Sequence, residues 1–232
     1  MTADSYPANS PIAGPPTADS SAESAPADSS ADRRVVVVVV PASGSWAPPG
    51  RDPEKWRLAL AEDTYEVLAA LDRVEVAVAV AGGDEAAVAE LDELTWPGTP
   101  TYAVDPTRPV LHAVELAGPA AAVVAVSYDV PDLPGLLIGK LFRALSHADI
   151  AVTPSEDGSL AAMGFQPPVA DWLVELAPTF DTPLELLESH KPRRHAVAIG
   201  PGWHRLRSNA DIARLDPGLE GWDATRSVLR HP

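Results

Sequence analysis

The chain has 232 residues, of which 46% are hydrophobic, and carries a formal net charge of -16. This length supports one sizeable α/β core, and the acidic charge argues against nucleic acid or an anionic membrane as a partner, because both would repel the chain at long range. The absence of Cys excludes disulfides, thiolate metal sites and a cysteine nucleophile, and the lack of any signal pattern or roughly 20-residue apolar run predicts a cytoplasmic protein.

The start of the chain differs in composition from the rest. Residues 1–32 are mostly Ala, Pro and Ser, with acidic residues and no Lys or Arg. Such a segment has too little apolar surface to order itself, so residues 1–33 are predicted to form a disordered acidic tail. Residues 34–232 are predicted to form a single domain.

Strands and helices alternate through the predicted domain. Six consecutive valines, Val35–Val40, predict a central strand that is buried on both faces. Asp52, Pro53 and Glu54 predict the capped start of a helix that runs to about Leu71. The other predicted strands are 74–80, 101–104, 121–126, 150–152, 160–164 and 196–199, and the other predicted helices are 84–94, 109–116, 135–146, 170–176 and 183–189. This alternation predicts a three-layer α/β/α fold with a mostly parallel central sheet.

Two carboxylates follow the predicted strand at 121–126. Asp129 and Asp132 lie in a loop in which Pro131 and Pro134 prevent a helix from starting before Gly135. Open α/β sheets bind ligands at the carboxyl ends of their strands, and carboxylates there can hold Mg²⁺ or Mn²⁺ together with a phosphate. The alternative is that Asp132 caps the following helix and Asp129 is an ordinary turn residue.

Several ordered motifs resemble those of the bacterial glycosyltransferase-A-like proteins. Asp129–Pro134 is similar to that family's S-D-x-P-D-L-P, and Ala151–Gly158 followed by Met163–Phe165 is similar to its G-P-x-E-D-G-G and L-x-G-L. Phe180–Pro183 resembles its W-S-T-P, and Ala61–Thr64 resembles its L-E-D-T. The resemblance covers about residues 35–215 and implies the nucleotide-diphospho-sugar transferase fold.

The resemblance also implies a set of site residues. A nucleotide or nucleotide sugar would lie over the carboxyl ends of the first strands, and Mg²⁺ or Mn²⁺ would join its phosphates to Asp129 while an unknown acceptor attacks. Asp132 would assist at the metal or brace the loop. Asp129 and Asp157 would be the catalytic residues, with Asp157 orienting a hydroxyl and Gly158 allowing close backbone approach. Without the resemblance, Asp157 and Gly158 would indicate a plain hairpin turn.

The first loop departs from the family's pattern. Relatives carry P-G-x-x-K-T-R-L there, whereas this loop has no Lys or Arg. Its donors to a phosphate would be Ser43, Gly44 and Ser45. The nearest cations are predicted to be solvated helix residues: Arg51, Lys55 and Arg57.

Two later stretches depart as well. The family's Q-G-x-G-D-L-G is replaced near residues 105–112, where Arg108 would supply a phosphate contact and His112 is either a base or, as is more common for one histidine on a helix, a structural residue. The terminal D-V-D-T-P-E-D-L is replaced by 205–212, where Arg207 would hold phosphate directly. The basic segment Lys191–Arg207 is therefore either an anion site or a surface that balances nearby acids.

Three functions remain open. The first is a divergent glycosyltransferase-like protein that uses Asp129 and a divalent ion to transfer a sugar from a nucleotide donor. The second is a nucleotidyltransferase that acts on a phosphorylated small acid, which the missing Lys and Arg disfavour because a triphosphate carries more charge. The third is a catalytically silent relative that acts as a binding module, which the altered motifs favour.

Overall fold

The computed structural model describes residues 1, 33–44, 46–215, 218 and 221–231, so nearly all of the predicted tail lies outside the described residues. The strands are β1 (Arg34–Pro41), β2 (Glu75–Ala81), β3 (Thr101–Val104), β4 (Ala122–Ser127), β5 (Ile150–Pro154), β6 (Leu160–Phe165) and β7 (Val197–Ile199). The helices are α1 (Pro53–Ala69), α2 (Glu85–Asp92), α3 (Pro109–Leu116), α4 (Gly135–Ala144), α5 (Asp171–Leu176), α6 (Leu184–His190), α7 (Asn209–Ile212) and α8 (Asp223–Arg230).

The strands form one mostly parallel sheet in the order β3-β2-β1-β4-β6-β5-β7. Strands β1 to β4 run parallel to one another, β6 runs antiparallel to both of its neighbours, and β7 pairs parallel with β5. The chain proceeds outward from β1 to β3 on one side and continues with β4 on the other side. The carboxyl ends of β1 and β4 therefore flank the point where the strand order reverses, which is where open α/β sheets bind ligands.

The run of valines occupies the centre of this sheet. Strand β1 pairs with both β2 and β4, and Val35–Val40 are all at most 5% exposed. Their side chains alternate between two hydrophobic cores, one beneath α3, α5 and α6 and the other beneath α1, α2 and α4. This arrangement confirms the predicted three-layer α/β/α fold with a mostly parallel sheet.

The carboxyl-terminal helices were not predicted. Helix α8 packs beside α1 around a third apolar cluster that includes Trp56, Leu206 and Trp222. In α8 itself only Thr225 is buried, because the sequence Asp223–Arg230 is mainly charged and polar. Its eight residues include only three apolar ones, Ala224, Val228 and Leu229, which are too few to show the repeating pattern on which helix prediction depends.

One predicted exposure is wrong. Arg57 was expected to be solvated, but its side chain is fully buried between α1 and α2. Its guanidinium pairs with Glu54, lies 2.6 Å from Glu90 Oε2, and donates to the carbonyl of Pro41 at 3.3 Å. The partner Glu90 comes from a separate helix, so no local pattern indicates this burial.

Among the described residues, no helix is long and apolar enough to cross a membrane.

Candidate functional site

A cleft of about 400 Å³ opens at the carboxyl ends of β1, β2 and β4. Val39, Pro41, Ala81 and Ser127 bring the ends of these strands into its wall. The charged and aromatic residues that line it are Trp46, Tyr128, Asp129, Phe180, Asp181, Arg205 and Arg207. Its position at the reversal of strand order makes it the candidate ligand site.

The loop after β4 is held in place from two directions. The Thr64 hydroxyl, from α1, donates to the Tyr128 carbonyl at 2.8 Å, and the Leu206 amide donates to the Asp129 carbonyl at 2.8 Å. The Ser127 hydroxyl donates to Asp129 Oδ1 at 2.6 Å, and Asp129 is only 2% exposed. Burial raises the pKa of Tyr128 to about 12, so its phenol stays protonated at neutral pH.

Arg205 is the direct partner of Asp129. Its Nε donates to both carboxylate oxygens, at 2.8 Å to Oδ1 and 3.1 Å to Oδ2. Its Nη1 donates to Asp181 Oδ1 at 3.1 Å and to the Phe180 carbonyl at 3.4 Å. Burial alone would lower the pKa of Arg205, but attraction to Asp129 and then to Asp181 outweighs it and raises that pKa. Arg205 is therefore a fixed cation beneath the cleft.

Arg207 lies next to the Arg205–Asp181 pair, on the side of the hairpin between β5 and β6. Its Nη1 donates to Asp181 Oδ1 at 2.7 Å and lies 3.6 Å from Asp157 Oδ2. The side chains of Asp157, Arg207, Asp181, Arg205 and Asp129 thus alternate in sign, and we call these five residues the charged row. Within the cleft itself two arginines face two aspartates, so its formal charges balance.

Asp157 and Gly158 form the turn of that hairpin. Asp157 Oδ1 accepts hydrogen bonds from the Ser159 amide at 3.0 Å and from the Ser159 hydroxyl at 2.5 Å. Burial would raise the pKa of Asp157, but these hydrogen bonds outweigh it and hold the pKa below its ordinary value. Gly158 has φ +85°, a conformation that L side chains rarely adopt. Both residues line a smaller pocket of about 290 Å³ beside Arg207.

Asp132 has partners of its own. Its Oδ1 accepts from the Trp203 indole at 3.1 Å, and its Oδ2 lies 3.2 Å from His204 Nε2. The Trp203 amide donates to the Pro154 carbonyl at 2.9 Å, and the rings of Trp203 and His204 stack. Asp132 therefore braces the segment that carries Arg205 across the end of the sheet.

These contacts test whether a divalent ion fits. Both oxygens of Asp129 are bonded to Arg205, while Asp132 is bonded to Trp203. Across the part of the chain that the structure describes, no group of three or more His, Cys, Asp or Glu residues could hold a metal ion. Mg²⁺ and related ions need several oxygen ligands around one point. The side chains as arranged do not fit such an ion, and the metal at Asp129 and Asp132 stays a prediction.

The first loop offers few free donors. Ser43 is exposed, the Gly44 amide donates to Glu54 Oε2 at 3.0 Å, and Ser45 lies outside the described residues. A Cβ at position 44 would lie 2.2 Å from the Pro53 carbonyl oxygen. Glycine is needed here because the loop packs closely against the start of α1.

Two other predicted site residues are engaged elsewhere. Arg108 directly precedes α3, and its Nη2 lies 2.9 Å from Glu115 Oε2 of that helix, so Arg108 does not line the cleft. His112 Nδ1 accepts from the Asp105 amide at 2.9 Å, which leaves the proton on Nε2 and makes His112 a brace for the preceding turn. The arginines and the lysine of the basic segment Lys191–Arg207 also form ion pairs, which among the described residues are Lys191–Glu188, Arg193–Asp149, Arg205–Asp129, Arg205–Asp181, Arg207–Asp157 and Arg207–Asp181.

Sequence reasoning missed the role of Arg205, Asp181 and Thr64. Each lay inside a stretch that the sequence had already marked: the basic segment, Phe180–Pro183 and Ala61–Thr64. Their mutual contacts join positions far apart along the chain, which no local spacing indicates. The replacement of aspartates by arginines at 205 and 207 was the available signal.

The comparisons with known proteins agree with this fold. Residues 64–178 match the model of the DUF2064 family, described as an uncharacterized protein conserved in bacteria. That match includes Asp129, Asp132 and Asp157 and ends before Asp181 and Arg205. No curated protein matches the sequence.

Several solved structures share the fold. A protein of Desulfovibrio desulfuricans G20 described as a nucleotide-diphospho-sugar transferase superposes with a TM-score of 0.63 at 17% identity, covering 85% of this chain and 96% of that one. A cytidylyltransferase from Leptospira borgpetersenii gives 0.55 at 10%, covering 85% and 94%. The 4-diphosphocytidyl-2C-methyl-D-erythritol synthase of Anaerococcus prevotii DSM 20548 gives 0.53 at 14%, covering 88% and 100%. The chain therefore shares the fold of these solved structures, and its motifs resemble those of the glycosyltransferase-A-like proteins.

Proposed function

We propose that the cleft binds the nucleotide part of a nucleotide sugar, and that the chain is a divergent glycosyltransferase-like protein. The observation that carries this proposal is the pair of arginines, Arg205 and Arg207, in a cleft at the reversal of strand order. Phosphate groups prefer guanidinium donors, which offer paired N–H groups in a plane. The nucleotide-sugar transferase fold supports the same ligand class.

The two arginines would contribute differently. Arg205 is fixed by Asp129, and among the described residues no partner takes its Nη2 group, so that group is available to an anion. The Arg207 side chain is 42% exposed and bonds Asp181 through Nη1 alone. A diphosphate would then accept from Arg205 Nη2 and draw Arg207 away from Asp181. Trp46 and Tyr128, which line the same cleft, would contact the base or the sugar.

The smaller pocket beside Arg207 would take the acceptor. Asp157 and Ser159 border it, and the lowered pKa of Asp157 keeps that carboxylate ionised at neutral pH, where it can orient a hydroxyl. The Mg²⁺ or Mn²⁺ ion expected from the resemblance is not part of this proposal, since the contacts of Asp129 do not fit it.

One observation favours a second candidate, a catalytically silent binding module. Asp129, the principal catalytic residue implied by the resemblance, is already neutralised by Arg205. Such a protein would bind the nucleotide and leave it unchanged. Incubating a bound nucleotide sugar with the protein and following release of the free nucleotide separates the two candidates, because only an active transferase shows slow hydrolysis of its donor.

Binding itself is tested by calorimetry against UDP, GDP, dTDP and CDP sugars and nucleoside triphosphates, in buffer containing EDTA and in buffer containing Mn²⁺. We expect one donor class to bind, with at least about tenfold weaker binding in Arg207→Gln. Arg108→Gln removes the same charge from a side chain outside the cleft, and is the matched control with unchanged binding. If the folded protein binds no nucleotide, or if both variants behave alike, the proposal is wrong.

A further inference from the structure

Asp129 has an internal cation where relatives are expected to place a metal. Arg205 Nε bonds both oxygens of Asp129, and Ser127 takes a further position on Oδ1. We infer that Arg205 replaces the divalent ion in this cleft and excludes such an ion from Asp129. The consequence for ligand binding, that phosphates bind without metal, rests on the proposed function.

The packing of Arg205 prevents a divalent ion from displacing its guanidinium from Asp129. The Arg205 side chain is 6% exposed, its Nη1 is bonded to Asp181 and Phe180, and its guanidinium carbon lies 5.8 Å from the centre of the Phe180 ring. A metal that took Asp129 would leave this guanidinium buried beside it. Two like charges in a desolvated site repel strongly, and a buried cation without its partner is costly.

The neighbouring acids do not offer a second position for an ion. Asp181 already accepts from both Arg205 and Arg207, and Asp132 faces Trp203 and His204. Arg207 adds a second positive charge to that of Arg205, so the pair matches the formal charge of one divalent ion. Arg205 and Arg207 thus supply from within the chain the positive charge that a metal would supply from solution.

The test measures Mn²⁺ binding alone, by electron paramagnetic resonance of the free ion, without nucleotide. We expect no Asp129-dependent site in the wild-type protein. Arg205→Met removes the internal cation while keeping an apolar stem of similar length, and is expected to create a site that binds Mn²⁺ at least about tenfold more tightly than the wild type does. The double variant Arg205→Met with Asp129→Asn is expected to lose that site, and Arg108→Met is the matched control.

The wild-type protein decides the question even if Arg205→Met does not fold, which circular dichroism reveals. Paramagnetic broadening by Mn²⁺ of the Ser127 and Asp129 amide signals in the wild type would overturn the inference, and signals that stay sharp support it. Mn²⁺ binding that is equal in the wild type and a folded Arg205→Met would also overturn it. If nucleotides fail to bind while Mn²⁺ is still excluded, the proposed function fails and the role of Arg205 stands.

Discussion

The ion pair between Asp129 and Arg205 is almost completely desolvated, and this determines how each residue tolerates substitution. Their side chains are 3% and 6% exposed. A buried pair contributes little relative to an apolar pair, but removal of one partner leaves the other charged and unsolvated. Substitution of one partner should therefore lower the free energy of unfolding much more than substitution of both.

Asp129→Ala is expected to lower the free energy of unfolding by about 3 to 5 kcal/mol, because Arg205 then lacks its main partner. Asp129→Ala combined with Arg205→Met should recover a large part of that loss, since no unpaired charge remains. Urea unfolding followed by circular dichroism measures both. Equal stability of the single and double variants would show that the pair is not coupled as the structure indicates.

Asp181 competes with any anion for the two arginines. It accepts from Arg205 and Arg207, and its own side chain is 64% exposed, so its replacement should not disturb the core. Asp181→Asn is expected to tighten pyrophosphate binding severalfold, measured by calorimetry at fixed ionic strength. Glu185→Gln makes the same change of charge nearby and should have a much smaller effect, because no arginine among the described residues pairs with Glu185.

The sequence indicated which individual residues lie at the site, but it did not indicate which of them pair with one another. Asp129 and Arg207 were both predicted to contact the ligand or its metal, and the structure brings both to one cleft. The central role of Arg205 was not predicted, because Arg205 and Asp129 are joined only through the docking of residues 203–207 on the loop after β4. That docking depends on long-range hydrogen bonds, which leave no local pattern.

At the scale of elements, helix α8 depends on a side chain from α1. The carboxylate of Asp63 accepts from the Ala224 amide at 3.0 Å and from the Thr225 amide at 2.7 Å, which satisfies two free donors at the start of α8. Asp63 is completely buried. This residue belongs to the stretch Ala61–Thr64 that resembles a family motif, and its observed contacts are with a helix terminus.

Burial, the largest influence, holds the pKa of Asp63 above its ordinary value of 3.8 despite the hydrogen bonds that it accepts. The folded chain therefore binds this proton at a higher pH than the unfolded chain does. The contribution of Asp63 to the free energy of unfolding is full below pH 3.8 and declines as the pH rises through its raised pKa.

Asp63→Asn should abolish this dependence, so the stability of the wild type minus that of the variant should fall as the pH rises through that window. Urea unfolding at a series of pH values checks the slope. Glu85→Gln, an exposed change on α2 at a carboxylate that does not act on Asp63, is the control. A difference that rises with pH instead would contradict the assigned direction.

The elements themselves were largely predictable, and α8 shows why some were not. Helix α1 has a side-chain cap at Asp52 and α4 carries a clear apolar stripe, whereas α8 is mainly polar and is stabilised by Asp63 and the third apolar cluster. Tertiary contacts of this kind override weak local preference.

At the scale of the whole molecule, alternation of strands and helices was enough to predict the fold. Each parallel strand needs a crossover, and the lengths of the predicted segments leave room for a helix in nearly every one. The antiparallel direction of β6 was not specified, although the Asp157–Gly158 turn between β5 and β6 is typical of a hairpin. The cleft follows from the fold, while its charge balance depends on individual contacts.

The composition of strand β1 makes the protein prone to aggregate when its central sheet unfolds. Six adjacent valines without a charge or a proline are the kind of segment that stacks with copies of itself into cross-β aggregates. In the native sheet both edges of this strand are paired, by β2 and β4, and only Arg33 and Arg34 flank it with charge on one side. Any change that unpairs the centre of the sheet therefore exposes the most self-associating part of the chain, and solubility should decline together with stability.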